Sequence, residues 1–111
     1  MDKITNEKLE KYFAISRDAF EMAKKAECVN GKENERKAFL DTIKRYLADA
    51  EHFAKKKDYV NAFAALNYAH GWLDAGAKLG LWKVSDNRLF AGVEPFSLEK
   101  KNPREKETKD A

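Results

Sequence analysis

The chain has 111 residues, of which 37% are charged, and its 22 basic and 19 acidic side chains nearly cancel to a net charge of +3. This length fits one domain and excludes a second, and so thin a spread of positive charge excludes a polycation that clamps nucleic acid. The single cysteine, Cys28, excludes a disulfide within the chain and favours a reducing, cytoplasmic location.

The first predicted helix runs from about residue 6 to residue 26. Thr5 is suited to cap it, and Glu7 lies in the first turn, where a negative charge faces the positive end of the helix dipole. Residues for the buried face recur in steps of three and four: Leu9, Phe13, Ser16, Phe20, Ala23 and Ala26. Asn30 and Gly31 then favour a turn, because both residues adopt left-handed backbone conformations easily.

The second predicted helix runs from about residue 35 to residue 56, with Asn34 as its cap. Its apolar positions follow the same spacing: Phe39, Ile43, Tyr46 or Leu47, Ala50, Phe53 and Ala54. The lysine run 55–57 ends the helix, where cations suit the negative end of the dipole. Because Asp58 is already placed to cap the next helix, the connection is very short and predicts antiparallel neighbours.

The third predicted helix, residues 59–79, is apolar around most of its circumference. Such a helix is typical of the centre of a fold. A membrane span is excluded, because hydrocarbon would have to bury five polar residues: Asn61, Asn67, His70, Asp74 and Lys78. Gly80 is placed for a left-handed C-cap.

These elements predict an all-α fold. We expect an antiparallel three-helix bundle over residues 5–82, an extended arm over residues 83–98 and a disordered, charged tail over residues 99–111. Gly92 and Pro95 make the arm too irregular for a helix. Two neighbouring helices cannot cover a third that is apolar on all sides, so either the arm or a second subunit must cover the remaining surface.

A row of polar residues follows the third helix. Asn67, His70 and Asp74 are separated by steps of three and four, which places them on one face, and Lys78 continues the row. His70 and Asp74 could form an oriented imidazole–carboxylate pair at a binding site. The same residues could equally form the polar strip of a mostly buried helix.

A metal site is the weaker interpretation of this row. Zinc would need three or four ligands, and only His52, Asp49 and Glu51 of the second helix are available to complete the set. Nothing in their spacing makes them converge, so we expect no metal and no cofactor.

Arg45 and His52 are seven residues apart, so two helical turns place them on the same face of the second helix. This spacing, an arginine and a histidine with six residues between them, resembles the motif of the HEPN ribonucleases. Those proteins are helical dimers in which such a pair lines a cleft between subunits. The resemblance implies that Arg45 stabilises the charged transition state and that His52 takes part in proton transfer. The predicted chain is one helix short of that fold.

The aromatic residues of the third helix indicate another use of its surface. Tyr68 and Trp72 lie one turn apart, and Gly76, one turn further, would allow another helix to approach closely. No basic groove accompanies these rings, so they favour a protein interface over base stacking. We therefore predict that Tyr68, Trp72 and Gly76 form a subunit interface.

The segment DYVNAFAALNYAHGWLDAG, residues 58–76, and the Leu79-Gly80-Leu81 that follows resemble the core motif of a small archaeal family called domain of unknown function 357. The resemblance extends over about residues 5–90. It implies a short three-helix domain in an archaeal cytoplasm, and it is compatible with self-association. It implies no reaction.

From these patterns we predict a non-enzymatic protein-interaction or dimerisation module. Its partner would be a second copy or another protein, with no membrane and no nucleic acid involved. The alternative hypothesis is a HEPN-like RNA-binding or ribonuclease module that uses Arg45 and His52.

Overall fold

Three helices account for the secondary structure that the computed structural model shows over residues 5–86 and 89–90, the part of the chain that it describes. In chain order these are α1 (Asn6–Lys25), α2 (Glu33–Lys55) and α3 (Tyr59–Lys78). The predicted all-α fold is confirmed, and within the described ranges there is no strand.

Two of the three predicted N-caps are confirmed. The Thr5 hydroxyl accepts a hydrogen bond from the Lys8 amide at 3.0 Å, and the Asp58 carboxylate accepts one from the Asn61 amide at 3.3 Å. The predicted Asn34 cap is wrong, because α2 begins at Glu33 after Lys32, which makes no side-chain cap bond. The turn at Gly31, which has φ +86°, is followed directly by Lys32 as the N-cap, so the helix starts two residues earlier than expected.

The predicted left-handed cap at Gly80 is confirmed, with φ +80°. The Leu81 amide donates to the Gly76 carbonyl at 2.9 Å, and the Gly80 amide donates to the Ala77 carbonyl at 3.1 Å, which is the Schellman pattern. A Cβ on residue 80 would also lie 2.8 Å from a methyl carbon of Val29. Glycine is therefore required here both by the backbone and by the neighbouring loop.

The same motif ends α2, although its left-handed residue is Lys57, with φ +62°. The Asp58 amide donates to the Phe53 carbonyl and the Lys57 amide to the Ala54 carbonyl, each at 2.9 Å. Because Asp58 also caps α3, one residue pair ends one helix and starts the next, which makes the connection as short as predicted.

α3 is the central helix, since α1 and α2 each pack against it and touch each other only slightly. One side of α3 is buried between them and is formed by Ala62, Ala65, Leu66, Ala69, Leu73, Gly76 and Ala77. Its small members let the neighbouring backbones approach closely. Ile43 and Ala50 of α2 and Ala19 and Ala23 of α1 are fully buried in the same core.

The chain after α3 folds back over the end of the bundle. Trp82 is fully buried, and its indole Nε1 donates to the Leu73 carbonyl at 2.9 Å. Of the predicted arm, residues 83–98, the described residues include Val84, Leu89 and Phe90, all of which belong to the core. Residues 87–88 and 91–98 and the predicted tail, residues 99–111, lie outside the described residues.

Arg36, which no pattern in the sequence singles out, joins the end of α1 to the segment that follows α3. Its guanidinium Nη1 donates to the carbonyls of Ala23, Ala26 and Leu81 at 3.0–3.2 Å, and Nη2 donates to that of Lys24 at 2.8 Å. The Ala23 carbonyl also accepts from the Ala26 amide at 3.3 Å, but the last carbonyls of a helix lack the amides of a following turn. The Arg36 guanidinium supplies donors to this end of α1.

Candidate functional site

The side of α3 that faces away from α1 and α2 is exposed along the whole helix. We call it the outer face, and it comprises Val60, Ala64, Asn67, Tyr68, Gly71, Ala75, Lys78 and Leu79. Its larger apolar side chains are well exposed, at 68% for Val60, 62% for Tyr68 and 55% for Leu79. Steps of three and four align these residues, as the periodicity of a helix requires.

The outer face carries little charge. Lys78, in the last turn, is its single ionisable residue apart from the Tyr68 phenol, and the central part consists of alanine, glycine, tyrosine and asparagine. In a chain with 37% charged residues, a face of this length with one charged residue, Lys78, differs from the rest of the surface.

Aromatic residues of α2 border one edge of the outer face. Tyr46 stacks on Tyr68 with ring centroids 5.3 Å apart, and Phe39 meets Trp72 edge to face at 4.7 Å. Beside them lies a shallow depression of about 310 Å³, lined by Phe39, Asn67, Tyr68, Gly71, Trp72 and Ala75. The aromatic contacts hold Tyr68 and Trp72 in defined positions at the surface.

The predicted polar row borders the opposite edge of the outer face. Two of its four residues are exposed and two are mostly buried. Asn67 and Lys78 are exposed, whereas the side chains of His70 and Asp74 are 23% and 25% exposed. His70 Nε2 lies 2.6 Å from the Leu89 carbonyl oxygen, so it donates a hydrogen bond to the C-terminal segment. The same Nε2 is 3.9 Å from the Asp74 carboxylate, too far for the hydrogen bond that a proton relay needs.

His70 therefore anchors the C-terminal segment to α3. We expect His70→Leu to increase hydrogen exchange at the amides of Leu89 and Phe90, which donate to the Asp86 carbonyl, because the segment loses its bond to the helix. His70→Gln, which keeps a donor at a similar reach, should leave exchange close to wild type. Equal exchange in both variants would contradict this role.

The predicted interface residues are placed in two different environments. Tyr68 is exposed and Trp72 half-buried at the edge of the outer face. Gly76 is buried, and the Trp82 ring occupies the space where its Cβ would lie. The chain's own indole thus covers Gly76, which leaves Tyr68 and Trp72 within reach of a partner.

Arg45 and His52 lie on open surface of α2. The Arg45 side chain is 78% exposed and pairs with Asp41 on its own helix at 2.8 Å, and His52 is exposed beside Phe53. A cleft around these residues would have to be completed by another molecule. The ribonuclease hypothesis stays a prediction.

Asp49 and Glu51, considered above as metal ligands, are also exposed on α2, and Glu51 pairs with Arg17 of α1 at 2.9 Å. Within the described ranges, no three histidine, cysteine, aspartate or glutamate residues come together in a way that could hold a metal ion. No helix in this part of the chain is long and apolar enough to cross a membrane.

Comparison with known proteins places the central part of the chain in one family. The profile described as "Protein of unknown function (DUF357)" matches residues 11–82, which include three quarters of α1, the whole of α2 and α3, and the Trp82 that covers Gly76. Searches of curated proteins and of solved structures gave no match. The match spans well over half of the chain, and the chain therefore belongs to the DUF357 family of proteins of unknown function.

Proposed function

We propose that this domain is a non-enzymatic interaction module that self-associates through the outer face of α3. One observation carries the proposal. The described residues contain four exposed large hydrophobic side chains, and three of them, Val60, Tyr68 and Leu79, lie on this one helix face. Covering water-exposed apolar surface with a partner lowers the free energy of the complex. This face is therefore the part of the domain best suited to binding protein.

The size of the surface supports a dimer of moderate affinity. α3 has 20 residues and is about 30 Å long at 1.5 Å per residue. With the adjoining edge of α2 the surface is about 20 Å wide, which gives about 600 Å² per subunit and about 1,200 Å² in total, the lower end of stable interfaces. We expect micromolar dissociation.

The proposal also includes the cellular setting. A single cysteine and a balanced, densely charged surface fit a protein that works in a reducing cytoplasm. The interaction itself, rather than a chemical reaction, would be its activity, since His70 is engaged with Leu89 and the other histidine, His52, lies on open surface.

Light scattering coupled to size-exclusion chromatography tests the proposal. From about 1 µM to about 100 µM, the wild-type mass should rise from that of a monomer to that of a dimer. Ala64→Glu places a charge on the outer face and should give a monomer throughout, because burying an unpaired carboxylate opposes association.

Ala48→Glu is the matched control. Ala48 is also an exposed helical alanine, but it lies on α2 away from α3, so this variant should dimerise like the wild type. A wild-type monomer at every concentration would overturn the proposal. So would a dimer that Ala64→Glu leaves intact.

A further inference from the structure

The two glycines within α3 stand in different surroundings. A Cβ on Gly76 would collide with the Trp82 ring, so the fold itself requires glycine there. Apart from its two chain neighbours and the adjacent backbone of its own helix, a Cβ on Gly71 would meet no atom within 4 Å, and the φ of Gly71 is not positive. A helix with glycine in its interior is less stable than the same helix with alanine. Nothing in the described part of the chain requires glycine at residue 71.

The outer face is also symmetric about its centre. Ala64 and Ala75 lie at equal distances from a point between Ala69 and His70, and so do Tyr68 and Gly71. When two copies of such a helix pack antiparallel about a two-fold axis, each residue meets its counterpart across the centre. Alanine then faces alanine, and tyrosine faces glycine.

We propose that two copies of the chain pair through antiparallel α3 helices, with Tyr68 of each subunit seated on Gly71 of the other. This inference rests on the proposed function and specifies its geometry. The absent side chain at residue 71 leaves a hollow for the ring, just as the Trp82 ring occupies the space over Gly76 within the chain. The stack on Tyr46 already holds the Tyr68 ring at the surface, which lowers the entropy lost on binding.

The charges at the ends of α3 favour the antiparallel arrangement. Lys78 lies in the last turn. The Asp58 carboxylate, which accepts a hydrogen bond from the Asn61 side-chain Nδ2 at 2.8 Å, lies at the start. Antiparallel packing brings the lysine of one subunit to the aspartate end of the other. It also sets the positive end of each helix dipole beside the negative end of the other. Parallel packing would bring the two lysines together.

Disulfide cross-linking tests this register. In a Cys28→Ser background, the double variant Ala64→Cys/Ala75→Cys should form a covalent dimer under mild oxidation. In the proposed register, residue 64 of each subunit faces residue 75 of the other. Ala64→Cys alone should form none, since the two copies of residue 64 would lie about 16 Å apart along the helix axis, beyond the reach of a disulfide.

The outcomes separate this inference from the proposed function. A wild-type dimer in light scattering whose Ala64→Cys variant cross-links to itself would overturn the antiparallel register and leave self-association standing. A dimer that cross-links in neither variant would overturn the register as well. A monomer in light scattering would overturn the proposed function together with this inference.

Gly71→Ala tests the proposed contact between Tyr68 of one subunit and Gly71 of the other. It should stabilise the monomer and weaken the dimer. The added methyl group has open space in the single chain and favours the helix, so the unfolding temperature of the dilute monomer should rise. The same methyl fills the hollow for Tyr68 of the partner, so the dimer dissociation constant should increase by about tenfold or more. An unchanged dissociation constant would overturn the contact between Tyr68 and Gly71.

Discussion

Replacing Arg36 with methionine is expected to lower the free energy of unfolding by about 3 kcal/mol. Methionine keeps much of the aliphatic stem and removes the guanidinium. Four carbonyls, three near the end of α1 and that of Leu81, then lose their charged donor. Each bond to a charged donor contributes about 1.5 kcal/mol or more, and water can replace only part of this because the site is partly buried. Chemical denaturation monitored by circular dichroism measures the change.

Two variants control for the loss of charge. Arg45→Met removes a 78% exposed guanidinium whose ion pair lies within one helix, and it should change stability by less than about 0.5 kcal/mol. Arg36→Lys keeps the charge but lacks the planar fork, so it should recover only part of the loss. Equal effects of Arg36→Met and Arg45→Met would show that the hydrogen bonds from Arg36 to the four carbonyls do not stabilise the fold.

The Gly76→Ala substitution is expected to destabilise the domain by about 3 kcal/mol, although alanine is the better helix former. Its Cβ would overlap the ring of Trp82, which is fully buried and fixed through Nε1 to the Leu73 carbonyl. The ring cannot move aside without breaking that bond or opening the core. Thermal and urea unfolding, recorded below the dimer dissociation constant, provide the measurement.

Gly71→Ala is the matched control for this effect, since it makes the same chemical change five residues earlier on α3. It should stabilise the monomer by up to about 1 kcal/mol. A double-mutant cycle adds Trp82→Ala, which removes the ring and should make Gly76→Ala nearly harmless. If Gly76→Ala stays as damaging without the ring, the overlap with Trp82 is not the cause.

Local signals made most of the fold predictable. Thr5 and Asp58 cap their helices through side-chain bonds that reach only three residues ahead, and Gly80 supplies a left-handed residue that few others adopt. Such features depend on the chain immediately around them. The error at Asn34 has the same origin, because a good capping residue was present but the turn at Gly31 had already started the helix.

The candidate site was predictable only in part. The apolar surplus of the third helix indicated that one side would stay uncovered, and Tyr68 does lie on that side. Gly76 lies one turn beyond Trp72 in sequence, and only the position of Trp82 shows that its own chain covers it. Gly71 has no signal of its own in the sequence, because the open space beside a glycine is recognisable only once the surrounding atoms are known.

The sequence by itself determined the three helices, the N-caps of α1 and α3 and the central position of the third helix, because periodicity and capping act within a few residues along the chain. Tertiary structure alone decided which side of α3 stays open, how Arg36 joins the end of α1 to Leu81, and why His70 donates to Leu89. These contacts join residues from 10 to 45 positions apart, and no local pattern specifies which distant carbonyl a side chain will meet.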